Sequence, residues 1–384
     1  MKKALSLVVL LAVLGTACSG LLSAPTPTAT AVPPSPTPLP PTETPTPAPT
    51  STPSYPAEGY GPANFPADID PLTGLQVADP ALLARRPMAI KVSNLPRDIR
   101  PQFGLSLADL VFEYYTEEGS TRFIALFYGQ DASRVGPIRS ARFFDVHIVR
   151  GYKAIFAFGY AYAAELYRLY SSEFVDRLVV EGPNTPLTRF DPNGMNSLVV
   201  NTADLSAYIT RQGVENGRQD LDGMLFKLDP PAAGQPVPHI YIRYSSAIYN
   251  RWDYDATTGT YLRFSDSADD LSGGQNEQYT QLTDALTQKP ITFDNLVVLK
   301  VTHELYSTNI YDILFSGSGD GYAFRDGQAY PVQWHRNPAD VVSLTNPDGS
   351  PFALKPGTTW FEVIGVSSTL AQHAQDWRFT HLMP

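Results

Sequence analysis

The clearest pattern of apolar and polar positions lies between Leu110 and Arg150, LVFEYYTEEGSTRFIALFYGQDASRVGPIRSARFFDVHIVR. Val111, Glu113 and Tyr115 alternate with Phe112, Tyr114 and Thr116. Phe123, Ala125 and Phe127 alternate in the same way with Arg122, Ile124, Leu126 and Tyr128, the period of two that strands show. Gly119-Ser120 between the two runs predicts a hairpin closed by a type II′ turn. Gly136-Pro137 then breaks the chain, and Ser140 is the expected N-cap of a helix through Phe144, Ile148 and Val149 that stops at Gly151.

Further strands are expected at Met88 to Val92, Tyr152 to Tyr160 and Arg177 to Val180, with helices from Ala161 to Tyr170 and from an N-cap at Thr202 to near Gly213. From Leu221 onward the segments are short, aromatic or β-branched and broken by Gly-containing turns. The fold class read from this is α+β: a mixed α/β domain over 70–220, a boundary over 221–236 around Pro230-Pro231, and a mainly β domain over 237–384. Gly317-Ser318-Gly319-Asp320-Gly321 reads as a hairpin loop, and 265–276 as a mobile loop.

Arg139 and Arg142 flank the first helix start against the helix dipole, whose positive end disfavours cations by about 0.3–1 kcal/mol each. Something anionic is therefore expected beside them. Two readings are open: an internal partner such as Asp109, Glu113, Glu117 or Asp131, or an anion site built from two guanidinium forks and free backbone N–H groups.

Lys2 and Lys3 followed by the apolar run Ala4 to Leu14 predict a secretory signal over residues 1–18, too short to span a bilayer. Its end, Gly15-Thr16-Ala17-Cys18-Ser19, is similar to the lipobox of bacterial lipoproteins, in which the Cys receives lipid; Gly15 stands where an aliphatic residue is usual. Cys18 is the only cysteine, so no disulfide can form within the chain and a hydrophobic core must hold the fold. Residues 19–69 are expected to be a disordered Pro/Thr-rich tether, extended at about 3.1 Å per residue. Without Lys2 and Lys3 the chain has 26 basic and 38 acidic residues, a net charge of −12, which gives no electrostatic footprint for nucleic acid.

DPLTGL at Asp70, RRPMAIKVSN at Arg85, RPQFGLSLADLVFEYYTEEGSTRFIALF at Arg100 and VGPIRSAR at Val135 resemble, in this order, the YerB-like lipoprotein family of bacteria, domain-of-unknown-function family 3048. GSGDGYAFRDGQ, PVQWHR and LKPGTTWFEVI extend the resemblance through the second half. The resemblance implies an extracytoplasmic lipoprotein with two adjoining domains and carries no agreed activity. Arg139-Ser140-Ala141-Arg142, Glu113, Gly119 and Arg122 match the family pattern, and Asn196 is kept where Met195 replaces a family His.

The six histidines show no HExxH spacing, GxSxG is absent, and no GxGxxG follows a strand, so neither metal nor cofactor is expected. Tyr114, Tyr115, Tyr160, Tyr162, Tyr167 and Tyr170 suit either a stacking surface for sugars or a Tyr-rich core. The pattern points away from an enzyme and toward a lipid-anchored binding or accessory protein on the outer face of the cytoplasmic membrane, lipidated at Cys18. Its expected ligand residues are Arg139, Arg142, Glu113, Arg122, Ser140 and Asn196, and its partners a wall glycan, a peptide or an envelope protein. The alternative is an envelope glycan hydrolase using paired carboxylates such as Glu113 with Glu117-Glu118.

Overall fold

The computed structural model describes residues 55–308 and 310–383. Cys18, the signal segment and most of the expected tether lie outside them. The folded part begins earlier than residue 70, because Tyr60 exchanges backbone hydrogen bonds with Phe226 (3.0 and 2.9 Å) and the Phe65 ring packs on the Phe226 ring.

Two sheets carry the molecule. The larger has eleven strands and includes β1 (Met88–Ser93), β2 (Leu110–Tyr115), β3 (Thr121–Phe127), β4 (Ile155–Phe158) and β5 (Leu178–Val180). Its spatial order runs from Ser343–Thr345 through Gln328–Arg336, Gly317–Arg325, Asn295–Val301 and Thr359–Gly365 to β2, β3, β1, β4 and β5. The change of pattern near Pro230 marks where helices cease but is not a break between sheets, since strand Thr359–Gly365 pairs in parallel with β2. The α+β class holds: α1 (Phe143–Gly151), α2 (Ala163–Tyr170) and α3 (Thr202–Arg211) all lie in the first half, and no α-helix follows Arg211 among the described residues.

Both faces of the large sheet are covered, so its central strands are buried throughout although their residues alternate. One face gathers Ala89, Phe112, Ile124 and Phe156 with Phe144, Ile148 and Leu169 from α1 and α2. The other gathers Ile90, Val111, Phe123 and Trp360 with Leu205 of α3 and with Ile240, Trp252 and Phe379 of the second, seven-stranded sheet. Burial of this apolar area, at about 25 cal/mol per Å², is what drives the layers together.

Local differences from the expected elements have physical causes. Glu118 and Gly119 both have positive φ (51° and 76°), so the β2–β3 turn is centred one residue earlier than expected and is of the I′ kind. Ser140 is not the N-cap of α1; Arg142 occupies that position, and its backbone N–H is taken by the Asp145 carboxylate at 2.7 Å. The stretch Gly317 to Gly321 opens a nine-residue strand rather than a loop, and the turn falls at Asp326-Gly327 instead. Within 265–276, Asp270 is buried, accepts from the N–H groups of Ser272 and Gly274, and pairs with Arg243 at 2.9 Å, which ties the loop down.

Between the layers lies a buried charge cluster. Glu113 on β2 and Glu362 on the adjacent strand stand directly opposite each other, and Arg263 from strand Thr260–Asp266 of the second sheet reaches both, at 2.6 and 3.1 Å. Trp252 and Tyr244 donate to Glu362 and Thr121 donates to Glu113, while the guanidinium lies over the Trp360 ring at 4.4 Å. Burial pushes the Glu113 carboxyl up to about 8, with Glu362 adding to the rise and Arg263 opposing it.

Two outcomes follow. Arg263→Ala strands two buried carboxylates and is expected to cost about 3–5 kcal/mol in urea unfolding. Because the folded chain keeps a Glu113 proton that the unfolded chain releases, the stability linked to that proton is full below about pH 4.5 and is lost as pH rises toward 8. Wild type should therefore lose stability relative to Glu113→Gln across that window, read by urea titrations at stepped pH; a constant difference would contradict it.

Candidate functional site

The parallel strands β1 and β4 pair at Met88 to Ile90 with Ile155 to Ala157 and then separate toward their carboxyl ends. The segment that follows Pro137 wedges between them: the Arg139 N–H donates to Lys91 O and its carbonyl accepts from Gly159 N, both at 2.9 Å. Ile138 N donates to Leu198 O at 2.6 Å, and Ala141 N to Tyr160 O at 2.7 Å. Arg139 is thus held by its backbone at the carboxyl edge of the sheet, where open α/β sheets place their ligands.

Outside β4 and β5 lies a cleft of about 570 Å³ lined by Arg139, Ser140, Tyr160, Glu181, Arg189 and Met195, among others. Arg189 is occupied by a two-point pair with Glu181 at 2.5 and 2.6 Å. Among the described residues the Arg139 guanidinium has no ion-pair or hydrogen-bond partner. Arg139 also lines a second hollow of about 520 Å³ with Arg97, Glu117, Glu118 and Arg122.

The other arginines of the expected site are committed to the fold. Arg142, 6% exposed, grips Glu117 through Nε and Nη2, donates to the Ala141 carbonyl at 2.7 Å, and has Glu165 at 3.5 Å. Arg122 donates to the same Glu117 at 2.7 Å and to the Ser140 carbonyl at 3.0 Å. Burial works against the Glu117 charge, but the hydrogen bonds and charge of Arg142 together with Arg122 outweigh it and hold the carboxyl below its ordinary value. The anion expected at the helix start is therefore internal: Glu117 serves Arg142 and Arg122, and Asp145 serves the first turn.

Beneath this layer Lys91 of β1, fully buried, meets Asp145 at 3.2 Å and the Tyr114 hydroxyl. Burial pushes the Lys91 amine down to about 7 against the pull of Asp145.

Glu113 does not join the arginines. It is wholly buried on the opposite face of the sheet, locked to Arg263, because alternation along β2 sends Glu113 one way and Tyr114 the other. Asn196 lines a neighbouring hollow with Phe103, Pro137 and Phe190, and its Oδ1 is buried without a hydrogen-bond partner. Trp334 and Arg336 of the C-terminal half are buried and donate to the Lys300 and Phe315 carbonyls. Arg189 and Glu181 escaped the sequence reading, since only the β4–α2–β5 crossover brings them beside Arg139.

Residues 72–215 match the N-terminal domain, and residues 240–361 the C-terminal domain, of the family described as protein of unknown function DUF3048, and the chain belongs to that family. It is 27% identical over 304 residues to the Bacillus subtilis (strain 168) protein named "Putative lipoprotein YerB", over 77% of this chain and 85% of the relative. The crystal structure of YerB protein from Bacillus subtilis superposes with a TM-score of 0.65 at 24% identity, covering 77% of this chain and 96% of that one, so the two share a fold.

The division of labour between the arginines has a direct readout. Arg142→Gln leaves part-buried Glu117 and buried Glu165 short of a cation and is expected to cost about 3–5 kcal/mol. Arg139→Gln removes no partnered group and should stay within about 0.5 kcal/mol of wild type in the same thermal melts. Equal losses for the two would show that Arg139 is structural as well.

Proposed function

We propose that this chain is a lipid-anchored, extracytoplasmic binding protein of the cell envelope, whose cleft takes an anionic group on Arg139. The observation that carries the reading is the contrast between Arg139 and its neighbours. Arg122, Arg142 and Arg189 are each neutralised by a glutamate, whereas Arg139 is held rigidly by β1 and β4 with its guanidinium at an open cleft. A guanidinium of this kind accepts a carboxylate or phosphate in a two-point fork. The cleft offers the Ser140 hydroxyl beside it but no histidine. Glu113, the carboxylate on which the glycan hydrolase alternative depended, reaches no open space, so that reading has no support in the geometry.

The anchor rests on the Cys18 sequence context and on the likeness to a protein named as a lipoprotein. Wild-type chain should partition into detergent, and Cys18→Ser should release it or leave its precursor uncleaved. Recovery of wild type in the aqueous phase with an unmodified thiol would reject the anchor. For the cleft, titration calorimetry of the detergent-solubilised chain with muropeptides is expected to show binding that Arg139→Gln abolishes. Binding untouched by that change would remove the anion reading.

A further inference from the structure

Tyr160, which lines the Arg139 cleft, begins a row of exposed tyrosines that continues onto α2. Tyr160 is 67% exposed, Tyr167 is 76% exposed, and Tyr162 and Tyr170 are each half exposed. Ala163, Tyr167 and Tyr170 stand at i, i+4 and i+7, one stripe of a helix about 12 Å long. The opposite side carries buried Glu165 and Leu169 with part-buried Leu166, so the helix packs by its polar cap and two leucines while turning its rings to solvent.

The row is stiffened at the end nearer the cleft. One side of the Tyr162 ring lies on the Arg142 guanidinium, 4.8 Å from its centroid, and Arg142 is itself clamped by Glu117. The Tyr162 N–H is held by Glu165 at 2.9 Å, and the Tyr160 carbonyl by Ala141 N at 2.7 Å. Large rings held in place lose little conformational freedom on binding, which is how aromatic platforms gain affinity.

We propose that this tyrosine row is a platform for an acidic glycan chain, with sugar rings stacked on Tyr160, Tyr162 and Tyr167 and an anionic substituent seated on Arg139. The proposal rests on the anion reading of the cleft and adds the ligand class. Its chemistry follows from the residue type: each ring has an apolar face and a hydroxyl rim that stays wet. That matches a sugar, whose C–H face is apolar and whose edge carries hydroxyls. A stripe meant for a partner helix or an acyl chain would carry leucine, isoleucine or phenylalanine on this face. Charge complementarity favours an anion, since Arg139 beside the row is a cation with no carboxylate partner among the described residues.

The test is binding of soluble glycan chains of alternating N-acetylglucosamine and N-acetylmuramic acid, with two, four and eight sugars, to the detergent-solubilised full chain. Neutral N-acetylglucosamine oligomers of the same lengths serve as the comparison. Affinity should rise with length, and Tyr160→Ala or Tyr167→Ala should weaken the eight-sugar chain about tenfold while leaving the melting temperature unchanged. Arg139→Gln should reduce the acidic chains to the level of the neutral ones. Equal affinity at all lengths overturns the platform and leaves the anion reading standing. Equal binding of acidic and neutral chains, unmoved by Arg139→Gln, overturns the anion reading while the platform survives. Tyrosine variants that lose phosphatidylglycerol vesicles but bind glycan normally assign the row to the membrane surface and overturn the proposal.

Discussion

The contact on which the architecture turns is one guanidinium serving two carboxylates. Glu113 and Glu362 come from strands that are neighbours in the large sheet, so pairing them places two acids face to face in a fully buried layer. Like charges set directly opposite are destabilising, and the pair is tolerable only because Arg263 enters from the second sheet and burial keeps a proton on Glu113. An unpaired charge there would be far costlier than a hydrophobic residue. The cluster therefore does little for raw stability and much for register: a one-residue slip of either strand would turn its glutamate to the opposite face of the sheet, away from Arg263.

The same charge balance, repeated on the other face, sets Arg139 apart from Arg122 and Arg142. Glu117 is shared by Arg122 and Arg142, Glu165 backs Arg142, and Asp145 closes the first turn of α1 while meeting Lys91. Around the start of α1, Arg122, Arg142 and Lys91 thus each have an anion beside them. Arg139 differs because its segment is inserted as an extra ribbon between the carboxyl ends of two diverging strands, with its side chain at the lip of the cleft. Position in the sheet, more than residue type, separates the arginine that lines the cleft from those that pack within the fold.

The sequence showed the local elements well. Alternation marked β2 and β3, the expected start of α3 lies one residue late, with Thr202 in place of the Asn201 that caps it, and the anion called for at Arg142 is Glu117, whereas Arg139 has no such partner among the described residues. What it could not show depended on contacts across long stretches of chain. Nothing local to Glu113 announces Arg263, and nothing in Glu117-Glu118 tells which acid points inward. Gly317 to Gly321 looked like a loop because glycine favours turns, yet close approach to strand Asn295–Val301 needs residues without bulk: a Cβ on Gly321 would lie 2.6 Å from the Val298 carbonyl.

The place of strand Thr359–Gly365 has a consequence for how the molecule is made. It lies between β2 and Asn295–Val301, so it is the last of the central strands to be synthesised and it joins both halves of the large sheet. Until it emerges, β2 and Asn295–Val301 each present an open hydrogen-bonding edge, and its own pairing with β2 joins Glu113 to Glu362, roughly 250 residues further along the chain. Assembly of this core thus waits for the carboxyl end of the chain, and a ribosome that stops short of it releases a polypeptide with two adhesive edges in place of a smaller native protein.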